Sequence, residues 1–189
     1  MRRISYVPVP SIHGRFGDGS IRRAMIVEPP NSTGEVAHML ELKLGGCILS
    51  DSRGQPACCL APADPEDWTF AQYLPRSERK VWRTVTPIVL HGFNSDRRGT
   101  ISLAKTERLL LRSFSMSGYG EDMIEGFAFQ GAPWWPGTKH ASAIRVPDHL
   151  SGYPRMHVEV RFRRGVRGPV LAGIGRHYGI GLFAAIIEG

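Results

Sequence analysis

The stretch GPVLAGIGRHYGIGLF, residues 168–183, restricts this chain more than any other part of it. Gly173, Gly175, Gly179 and Gly181 surround Arg176, His177 and Tyr178 in a G-x-G-x-x-x-G-x-G spacing, and an apolar run to Ile187 follows at once. Glycine admits positive φ and lets other groups come close to the backbone, which leaves two readings. Either backbone N–H groups cradle a phosphate, or the glycines form a wide turn fitted to the rest of the protein. A dinucleotide-binding fold needs such a loop after its first strand, before a helix and about 20 residues ahead of an acid, and a P-loop needs Gly-Lys-Ser/Thr. Here the loop lies late in the chain and leads into a strand, so no nucleotide cofactor, and no other cofactor, is expected.

Six arginines, Arg155, Arg161, Arg163, Arg164, Arg167 and Arg176, lie in or just before this loop, with Glu159 as the single acid among them. Over the whole chain, 24 Lys and Arg stand against 17 Asp and Glu, a net charge of +7. Cations at that density repel one another, and a polyphosphate backbone relieves the repulsion. Nucleic acid is therefore one expected partner class, and a merely solvated basic surface is the other. With 189 residues, 42% of them apolar, the chain can bury a core of its own.

Cys47, Cys58 and Cys59 are odd in number, two are adjacent, and none forms a C-x-x-C pair. Neither a disulfide framework nor a zinc ribbon follows, and a reducing cytoplasm is expected. Pro8 and Pro10 interrupt the apolar segment near the basic start, which excludes a signal-peptide core there. The longest apolar run, residues 180–187, falls far below the roughly 20 residues of a membrane span. No membrane partner is expected.

Strands are expected over 4–10 and 21–27, the first at an edge because Pro8 and Pro10 lack ladder donors. Ser32 and Glu35 stand at capping-box spacing and predict a short helix to about residue 40. Leu40, Leu42 and Leu44 alternate with Glu41 and Lys43, so a strand is expected to take over. The turn signal from Asp51 to Gly54 predicts a hairpin between 47–49 and 57–60, and 61–80 reads as a polar loop insertion. A strand is expected over 82–90, with Pro87 marking an edge or bulge. Over 102–114, Leu103, Leu110, Leu111 and Phe114 share one helical face, with Lys105, Arg108 and Arg112 opposite. Residues 131–150 read as an irregular connection whose Trp134 and Trp135 either stack bases or fill space under a loop. From 157 to 163, Val158, Val160 and Phe162 alternate with His157, Glu159, Arg161 and Arg163, which are expected to face out, and 182–187 closes as a buried strand. These elements sum to an α+β fold with antiparallel sheets and a C-terminal glycine-rich loop.

If the polyanion is an RNA to be cut without metal, the cut needs a base for the 2'-hydroxyl, an acid for the 5'-oxygen and cations for the charge on phosphorus, and histidine serves the first two near neutral pH. Three of the seven histidines are candidates: His13, His177 and His91. His13, beside Gly14 and Arg15, is either a general base or a loop residue that caps a turn. His177, between Arg176 and Tyr178, is an acid/base group or, preferentially, a phosphate- or base-contacting one. His91 follows a strand next to Gly92. His140, His149 and His157 lack zinc-ligand spacing and are expected at the surface, so no metal site is expected.

Three stretches, in order, carry a family resemblance: YVPVPSIHGRFGDGSIRR at 6–23, WRTVTPIVLHGF at 82–93 and VRGPVLAGIGRHYGIGLF at 166–183. Together they resemble CRISPR-associated proteins of the RAMP superfamily, in particular the C-terminal, repeat-RNA-processing half of the fused backbone/processing protein of type I subtype G (formerly U) systems. The resemblance implies a ferredoxin-like (RRM-like) RAMP fold, as a single domain over 1–189 or as two ferredoxin-like halves near 1–80 and 81–189. It implies a processing base just after the first strand, which is His13 here, and repeat RNA against the glycine loop. With the arginines, this gives an expected RNA-binding set of Arg15, Arg22, Arg23, Arg161, Arg163, Arg164, Arg167, Gly173, Gly175, Arg176, Tyr178, Gly179 and Gly181. The implied activity is a metal-independent endoribonuclease that cuts CRISPR repeat RNA to a 2',3'-cyclic phosphate and stays in an effector complex with a backbone RAMP subunit. The alternatives are a non-catalytic RAMP subunit that only holds CRISPR RNA, and a small-molecule enzyme whose glycine loop takes a nucleotide phosphate. Because the fused family protein carries an additional backbone half, the chain is expected to be a stand-alone processing subunit or a separated C-terminal part.

Overall fold

The alternation around Val158, Val160 and Phe162 decides the centre of the fold. The structure is a computed structural model that describes residues 4–12, 17–29, 32–64, 66–96 and 98–187, so His13 and Arg15 lie outside the described residues. In chain order its elements are β1 (Ser5–Pro10), β2 (Ile21–Val27), α1 (Glu35–Leu44), β3 (Ile48–Ser50), β4 (Pro56–Cys59), β5 (Arg79–Thr84), β6 (Ile88–Val89), α2 (Leu103–Ser115), β7 (Ile124–Gln130), β8 (Arg155–Val166) and β9 (Phe183–Ala185). β8 runs through the middle of the main sheet. β7 pairs along one side of it (Phe127↔Val160) and β5 along the other (Trp82↔Val160). β9 pairs with the far side of β5 (Trp82↔Ala185), while β6 continues the line of β5 against the start of β8 (Ile88↔Met156). Read across, the order is β7-β8-β5-β9, and every neighbouring pair is antiparallel.

One face of this sheet is covered by α2. Ser102 caps the helix by accepting from the Lys105 N–H, and Leu110 and Phe114 are fully buried. The Phe114 ring lies 5.4 to 6.0 Å from those of Phe127, Phe162 and Phe183. Along β9 alternate residues point to opposite faces, so Phe183 and Ala185 join this core and Ala184 joins another. There Val7, Val9, Ile12 and Met25 of the β1–β2 hairpin and its flank meet Val85, Leu171, Leu182 and Ala184.

Several expectations are met and several are corrected. β1 and β2 pair as an antiparallel hairpin, and the β3–β4 hairpin turns where Asp51 accepts from the N–H groups of Arg53 and Gln55 at 2.8 and 3.0 Å. No strand takes over after residue 40. The helix continues to Leu44, because Glu28 accepts from the first-turn Ala37 N–H at 2.6 Å and no sheet edge lies there to reward the alternation of Leu40, Leu42 and Leu44. Residues 61–80 are not a polar insertion alone: Phe70 and Tyr73 are buried in the second core, and the Tyr73 hydroxyl donates to the Pro10 carbonyl at 2.7 Å. β5 begins at Arg79 and is interior, so Pro87 sits in the break between β5 and β6 rather than on an edge. β7 was not foreseen, because a register shift between Ile124 and Gly126 breaks the period of two. His157 faces in, not out. It is fully buried, with Nδ1 3.1 Å from Thr84 Oγ1 and Nε2 3.0 Å from the Lys139 carbonyl. Leu103, at the first position of α2, and Ile187, past the end of β9, are exposed rather than buried. Among the described residues no helix is long and apolar enough to cross a membrane.

Candidate functional site

Where β6 ends, the chain meets the glycine loop. The Ile174 N–H donates to the Val89 carbonyl at 3.1 Å, and a Cβ on Gly173 would lie 2.6 Å from Ile88 Cγ1. At Gly179, φ is +71° and a Cβ would lie 2.3 Å from Pro8 Cδ on β1. A Cβ on Gly175 or Gly181 would meet Ile180 Cβ at 2.9 Å or the Ala172 carbonyl oxygen at 2.0 Å. The side-chain directions of all four glycines are thus filled by protein. They fit the loop to β1, β6 and itself, and what the loop turns outward is the single 3₁₀ turn Arg176–Tyr178.

His91 follows β6 after one residue and points at α2. Its Nδ1 lies 3.2 Å from Ser113 Oγ, and Ser113 Oγ donates to the Leu109 carbonyl at 2.9 Å. Ser113 has one hydroxyl proton; with that proton on the Leu109 carbonyl it accepts from His91, an arrangement that puts the proton of the neutral ring on Nδ1 and the lone pair on Nε2. Burial, followed by the charges of Arg112 and Arg176, holds the His91 pKa below the ordinary histidine range. Arg176 is itself partly buried, which lowers its own pKa, and it donates to the Gly173 carbonyl at 3.1 Å. Among the described residues no carboxylate forms an ion pair with Arg112 or Arg176. A neutral imidazole with a basic nitrogen beside two guanidiniums can move a proton next to a bound anion. His177 lies in the outward turn of the loop itself and meets the first strand there, its Nδ1 3.0 Å from Ser5 Oγ on β1.

Residues 1–185 match the family described as CRISPR-associated protein, GSU0054 family. The chain belongs to that family. No curated protein and no solved structure matches it. Membership gives the protein a role in CRISPR defence.

In this GSU0054-family protein the other expected contact residues are spread out. Arg22 and Arg23 on β2 already face acids, Arg22 pairing with Asp18 at 3.1 Å and Arg23 with Asp67. Arg161, Arg163 and Arg164 are exposed on β8 and have no ion pair among the described residues, whereas Arg167 reaches Glu78 at 4.0 Å. Val89 pairs with Arg155 at the start of β8. At about 3.3 Å per residue, Arg161 therefore lies roughly 20 Å along the strand from the His91 end. The arginine crowding of the sequence thus resolves into two separate basic areas. Tyr178 is exposed, edge-on to His149 at 5.8 Å.

Nothing in the sequence around His91 shows its setting, and neither Ser113 nor Phe93 nor Tyr153 stands out there. Nothing local marks Ser113, since its partner is 22 residues away on another element. Trp135 follows the space-filling alternative, packing against the second core with its Nε1 donating to the Arg83 carbonyl at 3.4 Å, while the Arg83 guanidinium lies over the Trp134 ring at 5.0 Å.

Proposed function

We propose that this protein is a RAMP-type endoribonuclease that binds CRISPR repeat RNA, cleaves it without metal, and stays on the product beside a backbone RAMP subunit. The observation that carries the reading is His91, hydrogen-bonded to Ser113 and acted on by the charges of Arg112 and Arg176, neither of which has an ion pair among the described residues. A ferredoxin-like reading of the second half is supported by the order β7-β8-β5-β9 with α2 joining β5 to β7, the arrangement of a split βαβ unit. In place of a second helix, the segment between β8 and β9 is the glycine loop.

In the proposed reaction a histidine in the base form takes the 2'-hydroxyl proton, and the 2'-oxygen attacks phosphorus. The bond from phosphorus to the 5'-oxygen breaks, and a second histidine, protonated, gives that oxygen its proton. The products are a 2',3'-cyclic phosphate and a 5'-hydroxyl. Arg176 and Arg112 balance the charge that builds on the phosphoryl oxygens. His91 suits one of the two proton-transfer roles and His13, through the family resemblance, the other, while His177 with Tyr178 contacts the RNA.

The test is a single-turnover incubation of the full chain with end-labelled repeat RNA in EDTA. A product ending in a 2',3'-cyclic phosphate is expected. Tight binding with no cut would assign the chain to the non-catalytic RAMP alternative, and neither binding nor cutting would remove RNA from the reading.

A further inference from the structure

Phe93 stands two residues beyond His91 and is 58% exposed. An isolated exposed phenylalanine needs no explanation, but this one is held in place. Its ring is stacked on that of Tyr153, with centroids 5.6 Å apart and planes 18° from parallel. Tyr153 in turn packs against the small core of Val89, Leu150 and Ile180, together with Ile174 of the glycine loop. The stack is therefore anchored on the same two segments that carry His91 and Arg176. With one face supported from below, the phenyl ring cannot fold down onto the core to leave water.

A flat apolar ring kept exposed on the segments that also carry His91 and Arg176, which has no ion pair among the described residues, matches the two chemistries of a single-stranded nucleotide, a π-face for the base and positive charge for the phosphate. A paired base inside a duplex has no open face to offer. Of the two adjacent tryptophans, Trp134 already has the Arg83 guanidinium over its ring and Trp135 packs against the second core. We infer that Phe93, backed by Tyr153, is the stacking platform for an unpaired base of bound RNA, next to a phosphate held by Arg176 and Arg112. This assignment rests on the RNA reading above and adds to it which part of the ligand the site takes.

The experiment uses the full chain and two probes, a ten-residue oligouridylate and heparin, which shares the polyanion but has no bases. Phe93→Ala is expected to weaken oligouridylate binding by about 5- to 150-fold, the range for loss of one base–aromatic stack, with heparin affinity unchanged. Phe93→Trp should retain binding, and Arg176→Gln should weaken both probes. Independently of any variant, irradiating the wild-type complex with 5-iodouridine-substituted oligouridylate should crosslink the peptide containing Phe93. Oligouridylate affinity unaltered in Phe93→Ala, with the wild type binding well, overturns the platform and leaves the RNA reading standing. Equal loss of both probes in Phe93→Ala, or a crosslink that maps elsewhere, also overturns the platform. A wild type that binds heparin but not oligouridylate, or neither, also overturns the platform, and the repeat-RNA incubation then decides separately whether the RNA reading stands.

Discussion

Ser113 Oγ lies 3.2 Å from His91 Nδ1 and donates at 2.9 Å to the Leu109 carbonyl one helical turn back. With the serine proton on that carbonyl, a helix on one side of the sheet sets the tautomer of a histidine at the end of a strand and leaves Nε2 as the basic nitrogen. His91→Ala is expected to slow single-turnover cleavage by about 10²- to 10⁴-fold at saturating protein. Ser113→Ala keeps the imidazole but frees its tautomer, so a smaller loss of roughly 2- to 12-fold is expected, the value of one hydrogen bond. His13→Ala belongs in the same assay, since two proton-transfer groups are needed. If His91→Ala cuts at the wild-type rate, the base and acid are both elsewhere.

Gly179 tests what the glycine loop needs its glycines for. Its φ of +71° and the 2.3 Å approach of Pro8 Cδ to a would-be Cβ are separate penalties. Gly179→Ala should cost about 2–5 kcal/mol of stability, the sum of left-handed backbone strain and overpacking. Gly54→Ala, at φ +78° with nothing within 4 Å, carries the strain alone and should cost only about 1–2 kcal/mol. Urea unfolding of the two variants measures the difference. Equal costs would mean that β1 yields to the loop.

Binding of repeat RNA should be strongly salt-dependent. Each phosphate neutralised on a single strand contributes about 0.7 to the slope of log affinity against log salt. Arg161→Gln, Arg163→Gln and Arg164→Gln should each lower that slope by about 0.7 if RNA reaches the far end of β8, and leave it unchanged if binding is confined to the His91 end. Fluorescence anisotropy titrations at several salt concentrations decide between them.

What was legible in the sequence was what local pattern controls. Val158, Val160 and Phe162 announced β8 because burial there repeats every second residue, and Leu110 and Phe114 announced α2 because it repeats along one helical face. The glycine loop was visible, but whether its glycines faced a ligand or the protein was not, since Pro8 and Ile88 are remote in sequence. β7 was hidden by its bulge at Glu125 and Gly126, and α1 was misread because its leucines alternate in sequence without a neighbouring strand to pair with. His91 looked minor for the same reason: its value lies in Ser113, Arg112 and Arg176, none of them nearby in the chain. Long-range partners, not residue types, decided each of these cases.

His157 makes the fold sensitive to acid. The hydroxyl of Thr84 and the carbonyl of Lys139 hold the two ring nitrogens inside the protein. Burial pushes the His157 pKa below the ordinary 6.5, outweighing the Lys139 carbonyl and Thr84, which favour the charged ring. In the unfolded chain the same histidine takes up a proton near pH 6.5. Between that pH and its lowered folded value the unfolded state binds the extra proton, so stability is full above about pH 6.5 and declines as the pH falls through this window. The steepest slope one such group can give is about 1.4 kcal/mol per pH unit. His91, also lowered, acts in the same direction, so urea unfolding at pH 7.5 and 5.5 should show a clear loss at the lower pH. His157→Gln, which can keep hydrogen-bonding groups near Thr84 and Lys139 but cannot titrate, will be less stable at pH 7.5 and should lose less on acidification than the wild type. An equal loss in both proteins would place the acid sensitivity on His91 or on groups other than the two histidines, and His91→Ala measured in the same way separates those two cases.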